Sequence, residues 1–140
     1  MSLYLDANVF IALLTPDPLT VRTDAFLEAR REVFIVSDFA AAEYVSAISR
    51  RVRTAEISRA DGQNALTALD GWLAQSARRV EVESRDVSLA DSFLRRLDQP
   101  LLTPDAIHIA IAQRLDATLV TFDRQMAESA RALGAAVATP

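Results

Sequence analysis

Leu3-Tyr4-Leu5-Asp6-Ala7-Asn8 opens as a short apolar run, ends in a carboxylate and an amide, and passes directly into the helix-like Val9-Phe10-Ile11-Ala12-Leu13-Leu14. A run this short and apolar ahead of a helical segment reads as a central strand of an α/β sheet, buried on both faces. Asp6 then stands at the strand's carboxyl end. In open α/β sheets that edge is where loops and helix amino termini converge on a ligand crevice. The plainer reading is that Asp6 or Asn8 caps the following helix, which Asp and Asn do well.

Outward from that strand the chain alternates between elements. Thr15-Pro16-Asp17-Pro18 is a turn, because paired prolines cannot continue a helix. A helix over about 20–31 precedes Val33-Phe34-Ile35-Val36, a second buried strand. Ser37 or Asp38 caps a helix from Phe39 to about Arg53, with Ala41, Tyr44, Val45, Ile48 and Val52 as its core stripe. Glu43 falls on the opposite side with Phe39, Ala47 and Arg50, at a rim; Asp38 reads as compensation of the helix dipole. Ser58 begins a helix through Ala65, Leu66, Leu69 and Trp72 to about Ala77, and Arg78-Arg79-Val80-Glu81-Val82 alternates as a strand. Asp86 caps a helix over Leu89 to Leu97.

Thr103-Pro104-Asp105 is the clearest helix start, with Thr at the cap, Pro at the first helical position and Asp just inside. The continuation through Ala112 is apolar nearly all round, which predicts burial. A strand at Thr118-Leu119-Val120-Thr121, a turn at Phe122-Asp123, a helix stopped by Gly134 and a short strand at Ala136-Val137-Ala138 complete the chain. The order βααβααβααβαβ predicts an α/β fold with a mostly parallel central sheet flanked by helices on both faces.

Composition narrows the chemistry. At 140 residues and 51% apolar content, one domain spanning 1–140 can bury a full core. The absence of cysteine excludes zinc-thiolate sites, redox chemistry and cysteine nucleophiles. All 15 basic residues are arginine, which excludes Schiff-base chemistry and a P-loop lysine. A formal charge of −4 gives no whole-molecule attraction for nucleic acid, so any polyanion contact must be local. The amino terminus lacks a basic n-region, and no uncharged stretch approaches the ~20 apolar residues of a membrane helix; the expectation is a cytoplasmic protein without membrane contact.

Among 19 acidic residues, a few stand out by position. Asp6 and Asp123 each follow a short apolar strand and project from one edge if the sheet is parallel, and Asp105 opens a buried helix. Each has a local explanation: Asp105 favours a helix dipole by roughly 0.3–1 kcal/mol, and Asp123 can cap the helix after it. Together they are harder to dismiss, because carboxylates ~4 Å apart repel by about 4 kcal/mol per pair at an effective dielectric near 20. A divalent cation offsets that repulsion. Oxygen ligands, no cysteine and a single histidine favour Mg²⁺ or Mn²⁺ over zinc.

Leu5-Asp6-Ala7-Asn8, Ala42-Glu43-Tyr44-Val45, Pro104-Asp105-Ala106-Ile107-His108-Ile109-Ala110 and Thr121-Phe122-Asp123, in this order and spacing, resemble the PIN domain, and in chain length the VapC toxins of bacterial toxin-antitoxin pairs. The resemblance spans essentially the whole chain. It implies a PIN-like three-layer sandwich and a Mg²⁺- or Mn²⁺-dependent endoribonuclease with Asp6, Glu43, Asp105 and Asp123 as metal-binding, water-activating acids. By position Asn8 and Thr121 match supporting polar residues, Thr121 through a hydrogen bond to a carboxylate or water. The resemblance also implies an RNA substrate, a homodimer, and a cognate VapB-like antitoxin whose carboxy-terminal segment covers the site.

Arg50, Arg51 and Arg53 at the end of the Glu43 helix, and Arg124 beside Asp123, are candidate phosphate contacts; the alternative is ordinary solvated helix-end charge. Arg50 shares the Glu43 face. His108, one turn after Asp105, reads as a hydrogen-bonded core residue in preference to a general base. Two other classes compete. Asp6-Ala7-Asn8-Val9 is similar to the haloacid-dehalogenase phosphatase motif, but Asn8 stands where the second acid belongs and the lysine is missing. A catalytically silent PIN-fold binding module would use the acidic edge only to hold a partner's arginine, and would not need all four acids.

Overall fold

A computed structural model describes residues 1–140 and divides the opening run between two elements, β1 (Ser2–Leu5) and α1 (Ala7–Leu14), with Asp6 at the junction. The chain continues through α2 (Thr20–Glu28), β2 (Val33–Ser37), α3 (Asp38–Arg53), α4 (Arg59–Ser76) and β3 (Arg78–Val80). It then forms α5 (Ser84–Arg95), α6 (Thr103–Arg114), β4 (Thr118–Val120), α7 (Arg124–Ala132) and β5 (Val137–Ala138). The order of elements is the one the sequence predicts. Every strand pairing is parallel, in the spatial order β3-β2-β1-β4-β5, with β1 at the centre.

Handedness turns this order into three layers. Parallel crossovers are right-handed, so those stepping outward from β1 to β3 cover one face and those returning to β4 and β5 cover the other. Leu3, Leu5 and Val36 accordingly pack with Phe10, Tyr44, Ile48, Leu69 and Leu73 beneath α1, α3 and α4. Tyr4, Ile35 and Leu119 pack with Phe93, Ile109, Ile111 and Met126 beneath α5, α6 and α7. Alternation along each strand sends neighbouring residues to opposite cores. The direction of travel reverses between β1 and β4, so their carboxyl ends flank the topological switch point where open α/β sheets hold ligands.

Several local boundaries differ from the sequence expectation. Asp86 does not precede its helix: α5 starts at Ser84, and the Asp86 carboxylate, in its first turn, accepts the Glu83 N–H at 2.8 Å. A helix start needs acceptors for its orphan amides, not an apolar stripe, so the polar Ser84-Arg85-Asp86 turn is invisible to periodicity. Likewise Leu102, not Thr103, occupies the α6 cap, and Asp105 reaches back to the Leu102 N–H at 3.3 Å. The buried face of α3 is Ala40, Ala41, Tyr44 and Ile48; Val45 is 42% exposed, because the sheet covers only one side of the apolar stripe. β3 stops at Val80, with Arg78 and Arg79 exposed on an edge strand. Gly62 lets α4 approach α3: a Cβ there would lie 2.6 Å from a Val52 methyl.

A candidate acidic active site at the carboxyl edge of the sheet

Asp6 sits at the cap position of α1, yet its carboxylate does not cap that helix. Oδ2 instead accepts the Thr121 hydroxyl at 2.8 Å, across the switch point from the end of β4. Thr121 is fully buried, and its oxygen also accepts the Asn8 side-chain amide at 3.2 Å and the Asp123 N–H at 3.0 Å. One hydroxyl proton and two acceptor sites are thus all assigned. Asn8 does not cap α1 either; its carbonyl takes the Phe122 N–H at 3.3 Å. The two supporting residues tie the loop after β4 to the start of α1 and aim Asp6.

Glu43 comes from α3 and Asp6 from β1, and both reach His108 on α6. His108 Nε2 hydrogen-bonds Glu43 Oε1 and lies 3.6 Å from Asp6 Oδ1. One ligand atom from each of the three residues fits within 4.8 Å of the others. The rim position expected for Glu43 is correct, and the same helix face turns it into the crevice. His108 is 1% exposed and is the core residue expected, but its outer nitrogen faces the acids, a contact the sequence reading missed. The only signal was its spacing, one turn beyond Asp105 on an otherwise apolar helix.

Asp105 and Asp123 complete the acidic edge. Asp105 is half-buried in the first turn of α6; burial pushes its carboxyl upward, and the neighbouring Asp123 and Glu43 charges push in the same direction. Asp123 is exposed and caps α7, accepting the Met126 N–H at 3.0 Å, so its expected capping role is real. Burial likewise raises Asp6, with Glu43 adding to the rise, while His108, Thr121 and the Ala7 amide pull the other way. For His108 burial alone would lower the imidazole, but the Glu43 hydrogen bond and the Asp6, Glu43 and Asp105 charges outweigh it and raise the value.

No arginine lies within ion-pair distance of any of the four acids. Arg50 lines a shallow concavity with Glu43, Ser46 and Ala47. Arg51, one residue on, turns about 100° round the helix and reaches the Thr15 hydroxyl at 3.4 Å, so it does not share that concavity. Arg124 is exposed beside Asp123. Asp38 ties the exit of β3 to α3, accepting the Val82 N–H at 2.9 Å.

The donor set suits a hard divalent cation: carboxylate oxygens, one of them buried, gathered with no arginine among them and a single imidazole beside them. Residues 3–132 match the PIN domain family. Ribonuclease VapC46 of Mycobacterium tuberculosis is 32% identical over 142 residues, covering 99% of this chain and 98% of that protein. Among solved structures, VapC20 of M. tuberculosis, a Sarcin-Ricin loop cleaving toxin, superposes with a TM-score of 0.75 at 19% identity, covering 91% of this chain and 95% of that one. VapBC2 of Rickettsia felis, bound to a DNA fragment from its promoter, gives 0.74 at 16% identity, covering 100% and 99%. The structural likenesses share the fold; no helix here is long and apolar enough to cross a membrane.

Proposed function

We propose a function for this chain, which belongs to the PIN-domain family: it is a metal-dependent endoribonuclease toxin of the VapC type, neutralised by a cognate VapB-like antitoxin. The observation that carries this reading is the convergence of Asp6 and Glu43 on one buried crevice, with Asp105 in the same field and no arginine paired to either. Of the four acids only Asp6 and Glu43, with His108, come within 4.8 Å of one another; Asp105 and Asp123 lie outside that group, and Asp105 feels the charges of Asp123 and Glu43. The family match weighs against the phosphatase alternative, and Asn8, hydrogen-bonded at both ends of its amide, holds no proton-transfer role.

Asp6, Glu43, Asp105 and Asp123 would hold Mg²⁺ or Mn²⁺. When bound, such an ion lowers the pKa of the attacking water and stabilises the leaving oxygen of a phosphodiester. Thr121 and Asn8 keep Asp6 oriented. Arg50, beside Glu43, and Arg124, beside Asp123, are placed to take flanking RNA phosphates, which so acidic an edge would otherwise repel. The VapBC2 structure, a toxin-antitoxin pair on promoter DNA, supports a cognate antitoxin as partner; that an antitoxin segment covers this edge with an arginine, and that the chain works as a homodimer, rests on the family resemblance.

Cleavage of a mixed transfer and ribosomal RNA pool tests the reading, run with Mg²⁺, with Mn²⁺ and with EDTA, beside Asp105→Asn. The expected result is cutting at discrete sites that needs the metal and is absent in the variant. Metal-independent cutting, or an active Asp105→Asn, rules out the assigned site. Neither cutting nor metal binding in any tube favours the binding module.

A further inference from the structure

The acids account for cation binding, but not for an imidazole held at both ends among them. We propose that His108 is a positioning residue that fixes the Glu43 carboxylate toward Asp6, its own ring locked in place by Tyr4 and Ser37. The inference rests on the reading of Glu43 as a metal ligand.

The evidence is an unbroken hydrogen-bond chain through the core. The Ala40 N–H donates to Ser37 Oγ at 3.0 Å, Ser37 Oγ lies 2.8 Å from the Tyr4 hydroxyl, and that hydroxyl lies 2.7 Å from His108 Nδ1. His108 Nε2 then meets Glu43 Oε1. Ser37 and Tyr4 are 0% exposed and His108 is 1% exposed, so no water competes for these groups. Phe39 packs obliquely on the imidazole with ring centres 5.2 Å apart.

Donor accounting fixes the direction of the last bond. An ionised carboxylate only accepts, so Nε2 carries the proton and donates to Glu43. With a neutral ring, Nδ1 needs a donor; the Tyr4 O–H supplies it, Ser37 O–H donates to Tyr4, and Ser37 accepts from Ala40. With a charged ring the hydroxyls reverse, and Nε2 still donates to Glu43. The clamp is therefore independent of the ring's charge. It also argues against His108 as a ligand, since Nε2 would have to lose its proton and Glu43 its only anchor.

The clamp has something to do. Glu43 is a long side chain on a helix surface, with 34% of its side chain exposed, and unanchored it would sample many rotamers away from Asp6. Partners that orient a ligating group typically change metal affinity by about 10–100-fold when removed. His108 binds Oε1 and does not occupy the second oxygen.

The test is Mn²⁺ titration of metal-free protein by calorimetry, on wild type, Glu43→Gln, His108→Ala, His108→Gln, Tyr4→Phe and the Glu43→Gln/His108→Ala double variant. His108→Ala should weaken Mn²⁺ by about 10–100-fold. His108→Gln, whose amide N–H can replace the Nε2–H, should recover most of that loss. Tyr4→Phe, which never touches the acids, should cause a smaller loss, and His108→Ala should add nothing once Glu43 is Gln. In metal-free wild type, the ¹⁵N signals of the single histidine should place a proton on Nε2. An Nε2 without a proton, a His108→Gln as impaired as His108→Ala, or effects of Glu43 and His108 that add in full each overturn the proposal. If His108→Ala does not fold, the Gln and Phe variants decide it: a His108→Gln close to wild type together with a measurable loss in Tyr4→Phe supports the clamp, and a Tyr4→Phe that binds Mn²⁺ as wild type does overturns it. Wild type that takes up no Mn²⁺ defeats the cation-site reading itself, whereas normal wild-type binding with an unimpaired His108→Ala defeats this inference alone.

Discussion

Two carboxylates, Asp6 and Asp86, are 6% and 1% exposed, and their surroundings could hardly differ more. Asp86 is gripped by the Arg114 fork, Nε to Oδ1 at 2.6 Å and Nη2 to Oδ2 at 2.9 Å, and the guanidinium also bonds the Glu81 carbonyl and the Glu83 carboxylate. That hydrogen bonding holds the Arg114 guanidinium above its ordinary value and staples α5 to α6. Asp6 accepts a hydroxyl and has the His108 imidazole 3.6 Å away, with further carboxylates beside it and no guanidinium. Burial of a carboxylate is common to both; only Asp6 lacks a guanidinium and has a single titratable imidazole as its positive neighbour. The first region is built for stability and the second is built at its expense.

The sharpest way to break that contrast is to remove one partner from each. Arg114→Met strands a buried charge and should cost about 3–5 kcal/mol in urea unfolding, while adding Asp86→Leu should restore part of it, because it removes the stranded charge but also the acceptor of the Glu83 N–H at the start of α5. Asp6→Asn should do the reverse. It should lose cleavage by more than the ~100-fold typical of outer contacts, with metal-free stability unchanged or raised, since it relieves burial of a charge among like charges. An Asp6→Asn that unfolds like Arg114→Met would place Asp6 with the structural pairs.

Thr121→Val sits between the two. It keeps the shape but orphans Asp6, the Asn8 amide and the Asp123 N–H, and should destabilise by about 1–3 kcal/mol while weakening cleavage. A thermal shift near zero would mean that Thr121 only fills space.

The smallest expected effect is the pH dependence of the metal-free protein. Burial and like charge hold the folded Asp6 and Asp105 carboxyls above their ordinary 3.8, and neighbouring carboxylates hold His108 above 6.5. The folded state therefore binds more protons than the unfolded one over the range from those ordinary values up to the raised ones. The associated stability is present below the ordinary values and is lost as pH rises through the raised ones. The melting temperature should fall from mildly acidic to neutral pH, and Mn²⁺ at about 100 times its dissociation constant should return ~2.7 kcal/mol. A melting temperature that instead climbs over that range would mean that the acids are already compensated.

By itself the sequence determined the element order, the parallel sheet and the strand ends that carry Asp6, Thr121 and Asp123, because short apolar runs ending in polar residues have few other uses. It also determined where the last helix stops, since Gly134 adopts a φ of +86° open mainly to glycine. It did not determine which residues meet. Glu43 reaches Asp6 only through the azimuth of α3 against the sheet, and one step round that helix separates Arg50, beside Glu43, from Arg51, on Thr15. On α6, apolar on every side, periodicity has no face to indicate, so the aim of His108 was set by the packing of α6 against α5 and the sheet. Pattern records what each residue prefers locally, whereas a site depends on the relative rotation of elements distant in the chain, and only the packed core fixes that rotation.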